Sequence, residues 1–289
     1  MAQIINGRLA YKVGLHIHTT RSDGKLPYED VINLYRSNGY DAVAVTDHWA
    51  WNGNDTLNGF PIISGCEYNI GGNDGRNGVF HILGIGCIEN PECVSTDCAQ
   101  TIIDKIHSKE GIAVLAHPAW SLNTPEQIMS LDGIDMTEIY NTVSTVGMSD
   151  RPYSGIIIDM LAAQGRIYKI HAADDSHYYN GEDSCISYVW VYAKSDSRED
   201  ICRALLAGDF YSTQGPDIDV TYDGKAVSVK CSPAKKIAVH SNIVLAKNHV
   251  LRGDGMTHMT YVPVENESFV RIEVTDENEN TAWSNIVVL

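Results

Sequence analysis

The chain has 289 residues, of which 44% are hydrophobic and 20% charged, an ordinary globular composition that excludes a collagen-like or low-complexity protein. Its 21 lysines and arginines stand against 37 aspartates and glutamates, which gives a formal net charge of −16. Such an acidic chain lacks the positive surface that binds duplex nucleic acid or an anionic membrane, so we expect neither as a partner. No apolar run approaches the roughly 18 residues of a membrane span.

The cysteines and the N-terminus indicate the cellular compartment. The seven cysteines are odd in number, are scattered and form no Cys-x-x-Cys pair, which is typical of reduced thiols rather than of a disulfide framework. The N-terminal segment lacks the basic start and the long apolar stretch of a secretory signal. We therefore expect a cytoplasmic protein. The sequence leaves open a secreted form whose signal has been removed.

The first two-thirds of the chain alternates apolar runs with helical patterns. The runs are rich in valine, isoleucine and alanine, which indicates parallel strands buried on both faces, separated by helices. The predicted strands cover residues 11–15, 41–46, 61–66, 79–86, 112–116, 135–140, 166–171 and 187–193, and the predicted helices cover 27–38, 97–109, 124–131, 150–163 and 197–207. Seven or eight such units in about 215 residues favour a closed α/β barrel over an open sheet.

The pattern changes after Gly215-Pro216. The segments 227–230, 237–240, 270–275 and 286–289 alternate apolar and polar residues, and no long helical pattern accompanies them. We predict a barrel domain over residues 1–215 and a small antiparallel β-domain, sandwich-like, over residues 216–289. Because no flexible linker separates them, the two parts are expected to pack together.

Histidines and carboxylates follow one predicted strand after another. His16 and His18 end the first strand, and residues two apart on a strand point the same way, so both can bind one ion. The pattern recurs near later strands with Asp47, His48, Glu67, His81, His117, His171, Asp175 and His177. The C-terminal strand ends of a barrel converge on one mouth, so these groups are expected to meet there. They would repel and desolvate one another unless cations bound, so the sequence predicts a metal centre.

As a series, these motifs resemble the PHP (polymerase and histidinol phosphatase) superfamily. They are His16-x-His18, Ser22-Asp23-Gly24, Thr46-Asp47-His48, Gly65-Cys66-Glu67, His81, Ala116-His117-Pro118 and Asp175-Ser176-His177. The match runs from about residue 12 to residue 215, and as a set it is specific. The resemblance implies a distorted (β/α)7 barrel with a trinuclear metal centre.

The resemblance also implies which side chains hold each ion. The first ion would be held by His16, His18, Glu67 and Asp175. The second would share Glu67 and add His81 and His117, and the third would be held by Asp23, His48 and His177. Some relatives have a histidine in the loop that holds Asp23. An amidohydrolase-type barrel also opens with His-x-His, but it has a lysine ligand where this chain has Glu67.

The expected chemistry follows from two or three divalent ions. A mixed nitrogen and oxygen ligand set suits Zn²⁺, Mn²⁺ or Fe²⁺, and such ions lower the pKa of bound water to around 7. We predict hydrolysis of a small phosphomonoester or phosphodiester, a phosphorylated metabolite or nucleotide, by a hydroxide that bridges the first two metal ions. Glu67 and Asp175 are predicted to be catalytic residues. Two alternatives stay open: a carbamate, ester or amide hydrolase with the same centre, and a non-catalytic metal-binding module. The sequence does not decide the oligomeric state.

Other side chains near the motifs are candidates for substrate or proton contacts. Lys169 and His171 share a strand face, and either could contact phosphate or protonate the leaving group. Asp47 could orient a ligand ring or act in acid–base catalysis. Arg21 could bind phosphate with two hydrogen bonds. Glu138 and Asn141 could line the pocket, although each of these six residues also has a purely structural interpretation.

Two further features flank the ligand positions. Trp49, Trp51 and Trp120 follow ligands closely, and they could wall the pocket or stack on a base. The glycine-rich run 71–78, which contains Arg76, could be a lid or an ordinary hairpin turn.

Overall fold

The structure is a computed structural model that describes residues 2–147 and 149–289. Its strands are β1 Gln3–Ile5, β2 Arg8–Gly14, β3 Ala42–Ala44, β4 Asp55–Leu57, β5 Phe60–Ile63, β6 Gly65–Ile70, β7 Phe80–Ile85, β8 Ile112–Leu115, β9 Met136–Asn141, β10 Lys169–Ala173, β11 Tyr188–Val191, β12 Phe210–Thr213, β13 Ile218–Tyr222, β14 Val227–Ser241, β15 Val250–Tyr261, β16 Phe269–Thr275, β17 Thr281–Trp283 and β18 Val287–Val288. Its helices are α1 Tyr28–Ser37, α2 Ala99–Ser108, α3 Pro125–Met129, α4 Gly155–Ala163 and α5 Arg198–Ala207, with short 3₁₀ turns at Gly75–Asn77 and Val143–Thr145.

Helix boundaries follow local side-chain chemistry. Helix α1 follows Pro27 and carries Glu29 and Asp30 in its first turn, where carboxylates oppose the positive end of the helix dipole. Helix α3 begins with a capping box, in which the side chains of Thr124 and Gln127 each accept a hydrogen bond from the other's backbone N–H. Every strand and helix expected in the first 215 residues is present, with ends shifted by a few residues.

The strands of the first 215 residues form two sheets around one core. One sheet has the order β10-β9-β8-β7-β6, and the other contains β11-β2-β3-β5-β4 and continues beyond β11. Side chains from both sheets, among them Leu15, Leu83, Val114 and Val189, share one buried cluster. Helix α2 covers the opposite face of β7 and β8.

The expected closed (β/α)7 barrel of parallel strands is wrong in two respects. No ladder joins β5 to β6 or β10 to β11 within the described part of the chain, so the sheets do not close. Strand β7 is antiparallel to both β6 and β8, and β11 is antiparallel to β2 and β12. The segment between β6 and β7 is too short for the helical crossover that parallel neighbours need. Strand β7 therefore runs in the reverse direction.

Single bridges join the two sheets at one rim. Ile17, just after β2, bridges Ser176, just after β10, and His48, after β3, bridges Glu67 in β6. These bridges lie beside the predicted metal ligands. The rim is thus the place where the two sheets are tied together.

The segment after residue 215 is antiparallel, as expected. Strands β13, β14, β15, β16 and β18 pair with antiparallel neighbours, and β14 spans two segments that the pattern predicts separately. Strand β17 pairs with β12, so the sheet of the first part continues into the second. Ala10, Trp190 and Tyr211 share a buried cluster with residues of β14 and β16. The two parts therefore pack together, while the division at 215/216 stays a prediction.

A buried ion pair also links the two parts. The guanidinium of Arg271, in β16, is fully buried and binds both carboxylate oxygens of Asp159, in α4, at 2.6 and 2.8 Å. Glu273 and Tyr153 complete this network. None of the helices in the described residues is long and apolar enough to cross a membrane.

Candidate metal centre

Backbone hydrogen bonds hold the ligand-bearing strand ends together. The N–H of His18 donates to the carbonyl of Ser176 at 3.1 Å, and the N–H of Asp175 donates to the carbonyl of His16 at 3.0 Å. On the other side, the N–H of Glu67 donates to the carbonyl of Asp47 at 3.2 Å. The main chain thus fixes the spacing of ligands that are far apart in sequence.

His81 reaches the same rim by a route that differs from our expectation. We grouped it with the residues at C-terminal strand ends, but it is the second residue of β7 and pairs with Asn69. Because β7 is antiparallel to its neighbours, its beginning lies where their ends lie. The reversed strand therefore brings His81 to the rim.

Four ligand atoms converge at the centre of the site. His16 Nε2 lies 3.2 Å from His18 Nε2, and Glu67 Oε2 lies 3.1 and 3.0 Å from these nitrogens. Asp175 Oδ1 lies 3.1 Å from both nitrogens and is buried without a hydrogen-bond partner. Nitrogen and oxygen atoms about 3 Å apart can share one ion at the roughly 2.0–2.2 Å of Zn–N and Zn–O bonds. The arrangement fits a first-row divalent ion.

Two further groups adjoin this one. Glu67 Oε1 lies 2.7 Å from His81 Nδ1 and 3.4 Å from His117 Nε2, while His48 Nδ1 lies 3.3 Å from Glu67 Oε2. Glu67 thus faces imidazoles with both of its oxygens. His48, Glu67 and His81 form one set that could hold an ion.

The third group is more open to solvent. Asp23 Oδ1 lies 3.4 Å from His177 Nε2 and 3.6 Å from His18 Nδ1, and Asp23 Oδ2 lies 3.9 Å from His48 Nε2. The side chain of Asp23 is 56% exposed. All nine side chains in the ligand sets that the resemblance implies lie at this rim, and the geometry adds His18 to the third set and His48 to the second.

The imidazoles and carboxylates shift each other's protonation. Burial by itself raises the pKa of Glu67, but neighbouring imidazoles, foremost His16 and His81, hold the pKa well below its ordinary value. Burial by itself lowers the pKa of His18, but the adjacent carboxylates of Asp175 and Glu67 raise the pKa to about 9. Protons on the imidazoles and cations in the site therefore compete for the same carboxylates.

Two ligands lie on backbone that L residues rarely adopt. The φ angle is +27° at His117 and +53° at Asp175. Such conformations cost on the order of 1–3 kcal/mol each and persist only where neighbours enforce them. At His117 the N–H donates to Glu138 Oε2 at 2.9 Å, and at Asp175 the N–H donates to the His16 carbonyl. The positions of these two side chains at the rim are therefore held at a cost in backbone strain.

Glu138 and Asn141 support the ligands from behind. Glu138 Oε1 lies 2.6 Å from His16 Nδ1, which turns the Nε2 of His16 toward the other ligands. The Nδ2 of Asn141 donates to Glu138 Oε2 at 2.9 Å and to Asp175 Oδ2 at 3.1 Å. Both side chains are fully buried, so they position ligands and do not line a cavity.

Asp47 anchors the loop that carries Asp23. Its carboxylate accepts hydrogen bonds from the backbone N–H of Thr19 at 2.7 Å, from Ser22 Oγ at 2.8 Å and from Asn52 Nδ2 at 3.0 Å. Asp47 is buried and does not line the cavity at the ligands. Its contacts are those of a positioning residue.

Three other predicted site residues lie away from that cavity. His171 is fully buried in register with Glu138, its ring nitrogens have no hydrogen-bond partner in the described part of the chain, and burial lowers its pKa to about 4. Lys169 begins β10, at the end of the strand remote from Asp175. Arg21 donates to Asn52 Oδ1, and its guanidinium lies 3.7 Å from the ring centre of Tyr28.

The cavity over the ligands has a volume of about 200 Å³. Its lining adds Trp120, Val143, Ser144 and Tyr178 to the ligands. Val143, Ser144 and Tyr178 are absent from the sequence prediction. Tyr178 follows a ligand directly, which is a usable signal, whereas Val143 and Ser144 only follow the end of β9.

Solved structures of low sequence identity share this fold. A two-domain protein from Bacteroides vulgatus that contains a predicted PHP-like metal-dependent phosphoesterase is 14% identical, and the match covers 100% of this chain and 97% of that chain with a TM-score of 0.56. Endonuclease Q in complex with a 27-mer duplex substrate with an abasic lesion at the active site is 15% identical over 68% of this chain and 57% of that chain, with a TM-score of 0.50. The lesion-specific endonuclease PfuEndoQ from Pyrococcus furiosus is 17% identical over 68% of this chain and 56% of that chain, with a TM-score of 0.46. No family model and no curated protein matches this chain.

The chain has a PHP-like fold, and the resemblance seen in the motifs is confirmed at that level. The clustered histidines and carboxylates at the rim of this fold form groups that could hold metal ions.

Our exclusion of duplex nucleic acid is wrong. Endonuclease Q, which shares the fold, is solved with a duplex substrate at its active site. The net charge of −16 describes the whole chain, whereas binding depends on the potential near the site. An acidic composition therefore does not exclude a duplex partner for this fold.

Proposed function

We propose that this protein is a metal-dependent phosphoesterase that hydrolyses a phosphomonoester or a phosphodiester. The observation that carries the proposal is the convergence of His16 Nε2, His18 Nε2, Glu67 Oε2 and Asp175 Oδ1 to separations of 3.0–3.2 Å. Two imidazole nitrogens and two carboxylate oxygens packed this closely in a buried place need a cation between them.

The donor set fits divalent ions in the three groups already described, and a trinuclear centre is part of the proposal. When bound, such ions would lower the pKa of a water molecule and withdraw charge from phosphoryl oxygens. The side chains of the protein do the rest. Glu138 holds the ring of His16 in place, Asn141 holds the carboxylate of Asp175, and Trp120 walls the cavity.

The cavity has no permanently charged cationic side chain. Its lining, within the described residues, contains neither lysine nor arginine. The negative charge of a phosphoester must therefore be neutralised by the ions. The same observation favours a second candidate, a carbamate, ester or amide hydrolase, because an uncharged substrate needs no lysine or arginine side chain to bind it.

Hydrolysis of four probes by metal-loaded protein separates these functions. We expect turnover of p-nitrophenyl phosphate or bis-p-nitrophenyl phosphate. A 27-mer duplex with an abasic site is a further probe, which tests hydrolysis of a nucleic-acid phosphodiester. Turnover of p-nitrophenyl acetate without phosphate release would favour the second candidate, and no turnover of any probe would contradict both.

A matched pair of variants tests the role of the centre. Glu67→Gln keeps the side-chain shape but removes the charge that faces two groups, so activity should fall at least about a hundredfold. Glu89→Gln makes the same change at an exposed residue paired with Lys109, and activity should stay unchanged. Full activity of Glu67→Gln would contradict the proposal.

We also propose a reducing, cytoplasmic location. All seven cysteines are free, and three of them, Cys66, Cys87 and Cys202, are buried. Mass spectrometry of thiols alkylated in intact cells would test this location.

A further inference from the structure

A second cavity adjoins the metal centre, with Trp120 as the shared wall. Its volume is about 500 Å³, against about 200 Å³ over the ligands, so it can hold a larger group than the first cavity. We propose that it is a leaving-group subsite that selects phosphoesters of a flat apolar ring carrying a second anionic group. This inference rests on the proposed phosphoesterase function and names its substrate class.

The indole of Trp120 lies between the two cavities. Its ring centre is 4.9 Å from that of His117 and 5.5 Å from that of His81, with interplanar angles of 75° and 67°. An ester whose phosphoryl group binds at the metal ligands can thus place its organic part beside this indole. A flat ring is the group that an indole contacts over the largest area.

Leu122 offers an apolar side chain on strained backbone. Its φ angle is +57°, a conformation that bulky residues seldom adopt, and its surface is 50% exposed. Gly75 approaches so closely that a Cβ built on it would lie 3.0 Å from the Cβ of Leu122. The loop is tied down by Asn123, whose Nδ2 donates to the carbonyl of Val79 at 2.7 Å. Strain that holds an apolar group half exposed beside a cavity is typical of a ligand contact.

The far side of the cavity carries an unpaired cation and an unpaired hydroxyl. Arg151 is the charged side chain of the lining, and its guanidinium has no hydrogen bond or ion pair within residues 2–147 and 149–289. Ser149 Oγ is buried and has no hydrogen-bond partner. No acidic side chain is present in the described lining, although the chain as a whole carries a net charge of −16. This combination favours an anionic group on the ligand.

Phosphoesters of phenols that carry a ring carboxylate fit these features. Water would form the new P–O bond while the bond from phosphorus to the ring oxygen breaks, and one proton of that water would end on the phenolic oxygen. The products are inorganic phosphate and a hydroxyaryl carboxylate. No oxidant or other co-reactant is needed.

Phosphate release from four esters tests the subsite. The esters are phenyl phosphate, 4-carboxyphenyl phosphate, its neutral analogue 4-carbamoylphenyl phosphate, and the longer 6-carboxy-2-naphthyl phosphate. We expect kcat/KM for at least one carboxylated ester to exceed that for the uncharged-ring esters about tenfold or more, mostly through KM. Arg151→Gln should remove this preference, and Arg151→Lys should restore part of it.

Arg76→Gln is the matched control. Arg76 lies on the neighbouring glycine-rich loop, pairs with Asp74 and is not part of the lining. This variant should keep the wild-type preference. Equal kcat/KM for carboxylated and uncharged-ring esters, or an Arg151→Gln variant that keeps the preference, would overturn the inference.

Binding separates failure of the subsite from failure of the proposed function. Calorimetric titration of metal-free protein with 4-hydroxybenzoate and 6-hydroxy-2-naphthoate measures the subsite without turnover. Binding that Arg151→Gln weakens about tenfold would support the subsite, even if no ester were hydrolysed and the phosphoesterase function were refuted. Absence of binding for both compounds, together with unselective phosphate release, would overturn the subsite and leave the phosphoesterase in place.

Discussion

Glu138→Gln offers a sharp test of how the protein holds its metal ligands. The carboxylate of Glu138 is fully buried and meets three donors: His16 Nδ1 at 2.6 Å, the backbone N–H of His117 at 2.9 Å and Asn141 Nδ2 at 2.9 Å. An amide has one oxygen, so glutamine cannot accept from all three donors in either orientation.

Each orientation of the amide has a definite cost. If its nitrogen faces His16, the imidazole must take the tautomer with the proton on Nε2, which then cannot bind an ion. If its nitrogen faces His117 and Asn141, two buried donors lose their acceptor. Loss of such a charge-assisted hydrogen bond costs about 1.5–3 kcal/mol, so metal affinity should fall about ten- to a hundredfold.

Competition with a chromophoric chelator measures this affinity directly. Glu126→Gln, in an exposed residue of α3, is the control and should bind metal like the native protein. The thermal unfolding temperature of the metal-free proteins shows whether Glu138→Gln still folds. A folded Glu138→Gln protein with metal affinity within twofold of the native protein would refute the role assigned to this carboxylate.

Three further predictions concern protons and metal. Because the carboxylates raise the pKa of His18 to about 9, metal binding must displace a proton at neutral pH. The affinity for metal should therefore rise with pH up to about 9. A metal affinity that is independent of pH between 6 and 8 would contradict this. Burial by itself raises the pKa of Glu273, but its hydrogen bond to His240 and the charge of Arg271 lower it below the ordinary value of 4.5, so its stabilising contribution is present above pH 4.5 and is lost as the pH falls. Glu273→Gln should therefore lower the free energy of unfolding in urea by about 2–3 kcal/mol at pH 7 and flatten its decline below pH 4.5, whereas an unchanged pH profile would argue against the ion pair. Removal of metal by a chelator should abolish the binding of inorganic phosphate in the ligand cavity, because that lining has no lysine or arginine. Binding of phosphate in this cavity of the metal-free protein would show that other groups hold it.

The ligand positions were predictable because of a simple rule about strand ends. His16, His18 and Asp175 lie just beyond the ends of β2 and β10, and such ends meet at one rim when strands run in one direction. Glu67 follows an apolar run in the sequence, but in the structure it is the third residue of β6. His81 lies at the same rim because its strand runs in the reverse direction, so that the beginning of the strand lies there. The short connection between β6 and β7 requires the reversal, but the predicted strands 61–66 and 79–86 do not show that the chain turns back at residues 71–79.

The supporting residues and the cavities were less predictable. Glu138 and Asn141 carry no motif, and their partners become visible only when β9 lies between β8 and β10. Arg151 lies at the start of the predicted helix 150–163 and belongs to no motif, and only the fold, in which α4 begins at Gly155, places it in a cavity beside Trp120. Such roles arise from tertiary packing, which single residues do not encode.

The pairing of β12 with β17 has a consequence for the solubility of fragments. Strand β12 ends the sheet of the first 215 residues, yet both of its edges are bonded, one to β11 and the other to β17. A fragment cut at residue 215 would leave the second edge bare, and bare strand edges recruit other chains. It would also uncover the face of Tyr140 that now stacks on Trp283. The C-terminal strands thus act as a lateral shield against aggregation, whatever else they contribute.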